Sequence, residues 1–194
     1  MPSLQREKIR QAVSKIENPL ANICIKLGIQ PNHITISGLL FSILAGIAII
    51  YELLIVGGVF LTISAVMDML DGSVARKSNK NSTNGALLDS VGDRIGEFAL
   101  FGGILIHYIL IDELNGSVLS VLALTTGYLV SYIRARSEGL GLKETRGIFT
   151  RSERLVVLGI GLYTNTVIIA LWIISILGVI TILQRFTYSW KSLK

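Results

Sequence analysis

The sequence predicts an all-α membrane protein with six transmembrane helices, preceded by an amphipathic helix at the membrane surface. Hydrophobic residues make up 51% of the 194 residues, and the mean hydropathy is +0.63. Soluble domains rarely reach such values, whereas several membrane spans produce them. Apolar runs of the ~20 residues that cross a bilayer recur along the chain. We expect a single domain over residues 1–194, with the transmembrane bundle at 31–189.

Residues 1–20 have an amphipathic pattern. Residues 1–18 contain no apolar core segment of the kind found in a signal peptide. Cations alternate with apolar residues that recur at helical spacing, which are Ile9, Val13, Ile16 and Leu20. The pattern predicts a juxtamembrane helix on the cytosolic membrane surface, with a frayed polar tail as the alternative.

Four spans are predicted from continuous apolar runs. They are Pro31–Tyr51, Leu53 to about Arg76, about Asn84 to Leu110, and Ser117 to about Arg136. The stretch 155–183 has 29 residues, and as one helix it would exceed a ~30 Å bilayer core. The polar triplet 164–166 divides it. We therefore expect a short fifth helix and a sixth that ends near Arg185.

The placement of the cations agrees with six spans. All 18 Lys and Arg fall at the two ends of the chain or in the regions 76–94 and 134–154. With six spans these regions lie on one side, and the positive-inside rule assigns both termini to the cytosol of a multi-pass cell-membrane protein. A single span at 155–183 would move the last three cations outside. The pI of about 9.5 then reflects orientation and contact with anionic lipid, and no nucleic-acid partner is expected.

Four aspartates lie where the second and third predicted spans are joined, although charge near a bilayer core is unfavourable. Asp68 and Asp71 are three residues apart and share a helix face. Asp89 and Asp93 are four apart at the start of the next span. The polar link KSNKNSTN predicts a short cytosolic hairpin. We expect it to bring the four carboxylates together just inside the cytosolic boundary.

This acidic group predicts a site for hard divalent cations. Clustered carboxylates repel one another, and oxygen ligands without Cys or His favour Mg²⁺, Mn²⁺ or Ca²⁺ over zinc. Two such ions can hold the attacking and leaving oxygens of a phosphoryl displacement. Gly72 and Gly85 leave room for a ligand near the backbone, and Arg76 can receive a phosphate oxygen. A structural acid–base cluster with glycines for helix packing is the alternative.

The hairpin resembles the signature of the CDP-alcohol phosphotransferase family. All eight fixed positions match at the family's spacing, namely Asp68, Asp71, Gly72, Ala75, Arg76, Gly85, Asp89 and Asp93. Asn32 and Thr35 at the start of the first span also resemble that family, and the likeness covers nearly the whole chain. It implies six transmembrane helices, a homodimer and a polar cavity open to the cytosol.

The resemblance also implies a role for each of these residues. Two cofactor ions, Mg²⁺ or Mn²⁺, would be bound by Asp68, Asp71, Asp89 and Asp93. Asp93 would also be the catalytic general base. The CDP-linked lipid would contact Asn32, Thr35, Asp68, Gly72, Ala75, Arg76 and Gly85, with Arg76 at the diphosphate. An acceptor hydroxyl would attack the phosphorus that carries the lipid, and CMP would leave.

Five arginines lie at predicted cytosolic helix ends, namely Arg134, Arg136, Arg151, Arg154 and Arg185. Thr150 and Glu153 form a capping-box pattern that predicts the start of the fifth helix. Arginines at helix ends around a cavity suit a phosphate on the acceptor, although flanking charges at a membrane surface are the plainer explanation for any one of them.

The sequence leaves more than one candidate for the acceptor substrate. The segment 131–155 resembles the branch that makes phosphatidylinositol phosphate or archaetidylinositol phosphate, with inositol 1-phosphate as acceptor. In that comparison the five arginines match basic positions around the acceptor pocket. A phosphatidylglycerol-phosphate synthase, which uses glycerol 3-phosphate, is the alternative within the family. The lipid of the donor, diacylglycerol or archaeol, is not indicated. A divalent-cation transporter is a remote alternative, because the outer halves of the spans carry few polar residues.

Overall fold

The computed structural model describes residues 17–80, 82–142 and 146–193, and seven helices make up nearly all of this part of the chain. In chain order they are α1 (17–26), α2 (Pro31–Ile50), α3 (Leu54–Lys77), α4 (Thr83–Leu110), α5 (Leu114–Gly139), α6 (Arg151–Tyr163) and α7 (Val167–Ser192). The predicted all-α class is confirmed. Most of the predicted helix at 1–20 lies outside the described residues, and its last four belong to α1.

Tight turns separate the helices close to the predicted boundaries. Residues with a left-handed backbone stand in the turns before α3, α5 and α7, namely Glu52 (φ 62°), Asp112 (φ 57°) and Asn165 (φ 55°). The predicted division of 155–183 at the polar triplet is therefore confirmed. Helix α7 continues beyond its predicted end near Arg185 to Ser192. Arg185 is buried within the helix and donates to the Val130 and Arg146 carbonyls.

Four helices in the described part of the chain, α2, α3, α5 and α7, are long and apolar enough to cross a membrane, as expected of an integral membrane protein. Helix α4 is long enough but carries acidic residues in its first half. Helix α6 has 13 residues, which span about 20 Å at 1.5 Å per residue.

The first of two compact units comprises the described residues up to Phe41 together with Ile63–Ile95. Its apolar core joins α1, α2 and α3 through Ala21, Ile34, Leu70 and Val74, all at most 5% exposed. Lys77 adds polar contacts at the end of α3, where its Nζ donates to the Asn18 carbonyl at 3.2 Å and to Asn22 Oδ1 at 3.1 Å. These contacts fix α1 against the end of α3.

The second unit comprises Ser42–Thr62 and the described residues from Gly96 onward. Its larger apolar core includes Ile49, Leu61, Phe101, Leu158 and Ile174. The backbones of α2 and α4 approach closely here, since a Cβ on Gly103 would lie 2.3 Å from the Gly46 carbonyl oxygen. Small residues that permit such approaches are typical of helix contacts in membranes.

Candidate active site

A cavity of about 210 Å³ lies in the first unit, where α2, α3 and α4 meet. Its lining residues are Pro31, Asn32, Thr35, Asp71, Gly72, Ala75, Lys80, Ser82, Gly85, Ala86 and Asp89. Five of the seven residues predicted to contact the donor are among them, the two outside being Asp68 and Arg76. The hairpin motif and the motif at the start of the first span thus share one cavity.

Lys80 and Ser82, which lie between α3 and α4, line this cavity and take part in capping the two helices. At the end of α3, Asn79 adopts a left-handed backbone (φ 53°) and Lys80 N–H donates to the Ala75 carbonyl at 3.0 Å. At the start of α4, Ser82 Oγ accepts the Gly85 N–H at 3.0 Å, as an N-cap does. These caps leave Lys80 and Ser82 on the cavity wall.

Gly85 keeps the wall open beside Ser82. A Cβ on Gly85 would lie 3.0 Å from Ser82 Oγ and 3.4 Å from Asn32 Oδ1. The first distance is tighter than ordinary van der Waals contact and the second is at its limit, so a side chain here would push against Ser82 Oγ and touch Asn32 Oδ1.

Three carboxylates from two helices converge in the same unit. One oxygen from each of Asp68, Asp89 and Asp93 lies within 4.8 Å of the others, and all three residues are partly buried. Carboxylate oxygens bind Mg²⁺ at about 2.0–2.1 Å and Ca²⁺ at about 2.3–2.6 Å, so a single cation of this class could contact all three. The hard oxygen set, with no Cys or His, therefore fits the predicted divalent cations.

Asp71 differs from the other three acids. Its carboxylate accepts a hydrogen bond from Thr35 Oγ1 at 2.6 Å, and the residue is 7% exposed. It lies outside the converging group but lines the cavity together with Asp89. The three-residue step from Asp68 advances it about 4.5 Å along α3, toward Thr35 on α2. Its role as a metal ligand stays a prediction.

Arg76 lies beside the cavity wall and is held from α1. Its Nη2 is 3.1 Å from Glu17 Oε1 and 3.1 Å from Ser73 Oγ. Its Nη1 is 3.1 Å from the position that a Cβ on Gly72 would occupy. The guanidinium therefore lies next to Gly72, one of the residues that line the cavity.

The five arginines predicted to bind the acceptor all belong to the second unit, and they differ in exposure. Arg134 and Arg136 are exposed near the end of α5, and Arg134 pairs with Glu138 at 2.9 Å. Arg151 is partly buried as the first residue of α6, directly after the N-cap Thr150. The predicted capping box of Thr150 and Glu153 is confirmed.

The other two arginines are buried within the second unit. Arg154 is 1% exposed and pairs with Glu97 on α4, its Nη2 at 2.6 Å from Glu97 Oε1. Arg185 is 4% exposed and donates from Nε to the Arg146 carbonyl at 2.8 Å and from Nη1 to the Val130 carbonyl at 2.7 Å. Both side chains therefore hold the helices and the segment before α6 in place, a role that the sequence did not indicate.

Four residues at or near these sites were not predicted from the sequence. Lys80 and Ser82 lie in the polar link, whose composition predicted a hairpin but gave no reason to place them on a cavity wall. Glu17 and Glu97 are each more than fifty residues from the arginine they contact. The available signal for Glu97 was its position as the last acid of α4 before a run to Leu110 without Asp, Glu, Lys or Arg, because a charge beside such a run needs a partner.

Comparisons with known proteins identify the family of this chain. The family model described as CDP-alcohol phosphatidyltransferase matches residues 29–188. A phosphatidylinositol phosphate synthase of Mycobacterium marinum is 33% identical over 94% of this chain and 83% of its own length. An archaetidylinositol phosphate synthase of Methanothermobacter thermautotrophicus is 32% identical over the full length of both chains.

Two solved structures of a phosphatidylinositol phosphate synthase are also similar to this chain. The crystal structure of Mycobacterium tuberculosis phosphatidylinositol phosphate synthase with CDP-DAG bound has a TM-score of 0.81 and 28% identity, covering 91% of this chain and 94% of that one. The same enzyme in complex with manganese and citrate has a TM-score of 0.80 at 28% identity, covering 90% and 88%. The chain with this cavity and this acidic group belongs to the CDP-alcohol phosphatidyltransferase family.

Proposed function

We propose that this enzyme transfers the phosphatidyl-type group of a CDP-linked lipid to a hydroxyl of inositol 1-phosphate and releases CMP. The main support for the proposal is that the residues of the donor motif and the converging carboxylates lie in the same unit. Asp89 belongs both to the cavity lining and to the converging group, and the cavity also contains Gly72, Ala75 and Gly85. Relatives named for the corresponding phosphatidyl and archaetidyl reactions support it.

The residues of the chain have distinct tasks in this reaction. Asp68, Asp71 and Asp89, with Asp93, would hold two Mg²⁺ or Mn²⁺ ions, which when bound neutralise and orient the diphosphate. Asp93 takes the proton of the acceptor hydroxyl, whose oxygen bonds to the phosphorus that carries the lipid. The bond from that phosphorus to the CMP oxygen breaks, and CMP leaves with the electron pair. Asn32, Thr35, Gly72, Ala75 and Gly85 hold the nucleotide side of the donor, and Arg76 holds its diphosphate.

The five arginines of the second unit are proposed to bind the acceptor phosphate, namely Arg134, Arg136, Arg151, Arg154 and Arg185. Arg151 has the most favourable position, because a capping box fixes it at the start of α6 while leaving it partly exposed. Arg154 and Arg185 already have partners within the protein, so their effect on the acceptor includes an effect on the helices that they hold.

The membrane arrangement is also part of the proposal. Helices α2 to α7 would form six spans of one domain, with both termini and the cavity on the cytosolic side. The distribution of Lys and Arg supports this orientation. A homodimer is proposed from the family resemblance.

An acceptor panel tests the proposal. Purified protein would be supplied with Mg²⁺ or Mn²⁺, CDP-diacylglycerol or CDP-archaeol, and one of inositol 1-phosphate, inositol, glycerol 3-phosphate or serine. We expect CMP release to be fastest with inositol 1-phosphate and to stop in excess chelator. A preference for glycerol 3-phosphate would assign the protein to the phosphatidylglycerol-phosphate branch. Equal use of inositol and inositol 1-phosphate would contradict a role for the acceptor phosphate.

A further inference from the structure

Helix α1 supplies a carboxylate to the arginine beside the donor cavity. Glu17 Oε1 lies 3.1 Å from Arg76 Nη2, and the Glu17 side chain is 15% exposed whereas that of Arg76 is 65% exposed. Ser73 Oγ accepts from the same nitrogen at 3.1 Å. One edge of the guanidinium is thus held by two acceptors.

The other edge of the guanidinium is directed at the cavity wall. Arg76 Nη1 lies 3.1 Å from the position of a Cβ on Gly72, and Gly72 lines the cavity. A guanidinium is planar and presents its donors in a fixed fork, so holding Nη2 also fixes the direction of the Nη1 donors.

The carboxylate of Glu17 is itself on an anchored helix. Ala21, one turn further along α1, is 0% exposed in the core of the first unit. Lys77 also ties the same helix to α3 through the Asn18 backbone carbonyl. The position of Glu17 is therefore set by packing that does not involve Arg76.

We propose that Glu17 is a positioning residue for the donor site. From α1 it holds one edge of Arg76, so that the other edge faces the diphosphate of the CDP-linked lipid. Arg76 then meets the diphosphate with much of its side-chain freedom already lost, which strengthens donor binding. This inference rests on the proposed function, because it assumes that Arg76 contacts that diphosphate.

The test measures binding of CDP, the water-soluble part of the donor, to the full chain in detergent with Mn²⁺. Glu17→Ala is expected to weaken CDP binding about 3- to 5-fold, the scale of a partly exposed ion pair. Arg76→Ala is expected to weaken it at least ~10-fold. In the double variant, removal of Glu17 is expected to add nothing, because Glu17 acts through Arg76.

Asn22→Ala is the matched control, because it removes another contact between α1 and α3 without touching Arg76. It should bind CDP like the wild type. In turnover, Glu17→Ala should raise the KM for CDP-diacylglycerol and leave the KM for inositol 1-phosphate unchanged.

Three results would overturn the positioning role. The first two are an equal loss of CDP affinity in Asn22→Ala and Glu17→Ala, and additive losses of CDP affinity in the double variant. The third is tighter CDP binding by Glu17→Ala, which would mean that Glu17 competes with the phosphate for Arg76. Failure of the wild type to bind CDP would overturn the proposed function itself. Wild-type affinity in Arg76→Ala would remove only the assignment of Arg76 and, with it, this inference.

Discussion

Glu97 on α4 and Arg154 on α6 form an enclosed ion pair, both side chains being 1% exposed. Glu97 Oε1 accepts from Arg154 Nη2 at 2.6 Å and from Nε at 3.1 Å. Within the described residues, Glu97 Oε2 and Arg154 Nη1 have no hydrogen-bond partner, so the pair does not satisfy either group fully. A buried pair of this kind contributes little net stability, but removal of one partner leaves an uncompensated charge.

Arg154→Ala should therefore lower the free energy of unfolding by about 3–5 kcal/mol. Reversible denaturation of the protein in mixed micelles would measure it. Arg151→Ala, three residues earlier at the start of α6, is the control and should lower the free energy of unfolding by much less. Replacing both partners, Glu97→Leu with Arg154→Met, should restore most of the stability. Wild-type unfolding of Arg154→Ala would show that the pair is not formed.

The same variants separate stability from acceptor binding. If Arg151 binds the acceptor phosphate, Arg151→Ala should weaken use of inositol 1-phosphate by ~10-fold or more, since charged hydrogen bonds contribute ~1.5–3 kcal/mol. The KM for the CDP-linked lipid should hardly change. Initial rates at saturating donor would measure this, and an unchanged KM for inositol 1-phosphate would remove Arg151 from the acceptor site.

Substitution of the acids should distinguish ligands from the base. Asp68→Asn, Asp71→Asn and Asp89→Asn should each abolish CMP release, because an amide cannot replace a carboxylate on a hard dication. Spin-resonance titration with Mn²⁺ would compare their affinities. We expect the largest losses for Asp68→Asn and Asp89→Asn, whose oxygens converge, and a smaller loss for Asp71→Asn, which accepts from Thr35. Equal Mn²⁺ affinity in all three variants and the wild type would refute the metal site.

Asp93→Asn should retain CDP binding and lose at least ~100-fold in kcat, the usual scale of a general base. Binding of CDP with Mn²⁺ and single-turnover rates would be measured on the same preparation. If Asp93→Asn lost CDP affinity as severely as Asp89→Asn, Asp93 would be mainly a metal ligand, because it belongs to the same converging group.

Gly85→Ala should weaken donor binding while leaving the fold intact. The new methyl group would press on Ser82 Oγ and touch Asn32 Oδ1, both of them on residues that line the cavity. Gly102→Ala on the same helix is the control, because a Cβ there meets nothing within 4 Å. CDP titrations should show a loss for Gly85→Ala alone, and equal affinities for the two variants would contradict the placement of Gly85 at the donor.

The features predicted best from the sequence are those that depend on short spacings along the chain. The steps between Asp68 and Arg76 and between Gly85 and Asp93 fix faces of two helices, and a polar link of eight residues forces those helices to be neighbours. Long-range pairing could not be predicted in this way. Arg154 looked like a cation at a helix end, because nothing near it in the chain indicated that Glu97, 57 residues earlier, would enclose it.

The most direct test of phosphatidyl-type group transfer to inositol 1-phosphate is to follow the phosphorus atom that carries the lipid. CDP-diacylglycerol labelled with ³²P on that phosphorus would be incubated with the protein, Mn²⁺ and inositol 1-phosphate. We predict unlabelled CMP and a labelled lipid that carries the inositol phosphate, no product in excess chelator, and at least ~100-fold slower product formation with Asp93→Asn. Label recovered in phosphatidic acid at the same rate with and without inositol 1-phosphate would mean hydrolysis rather than transfer, and would contradict it.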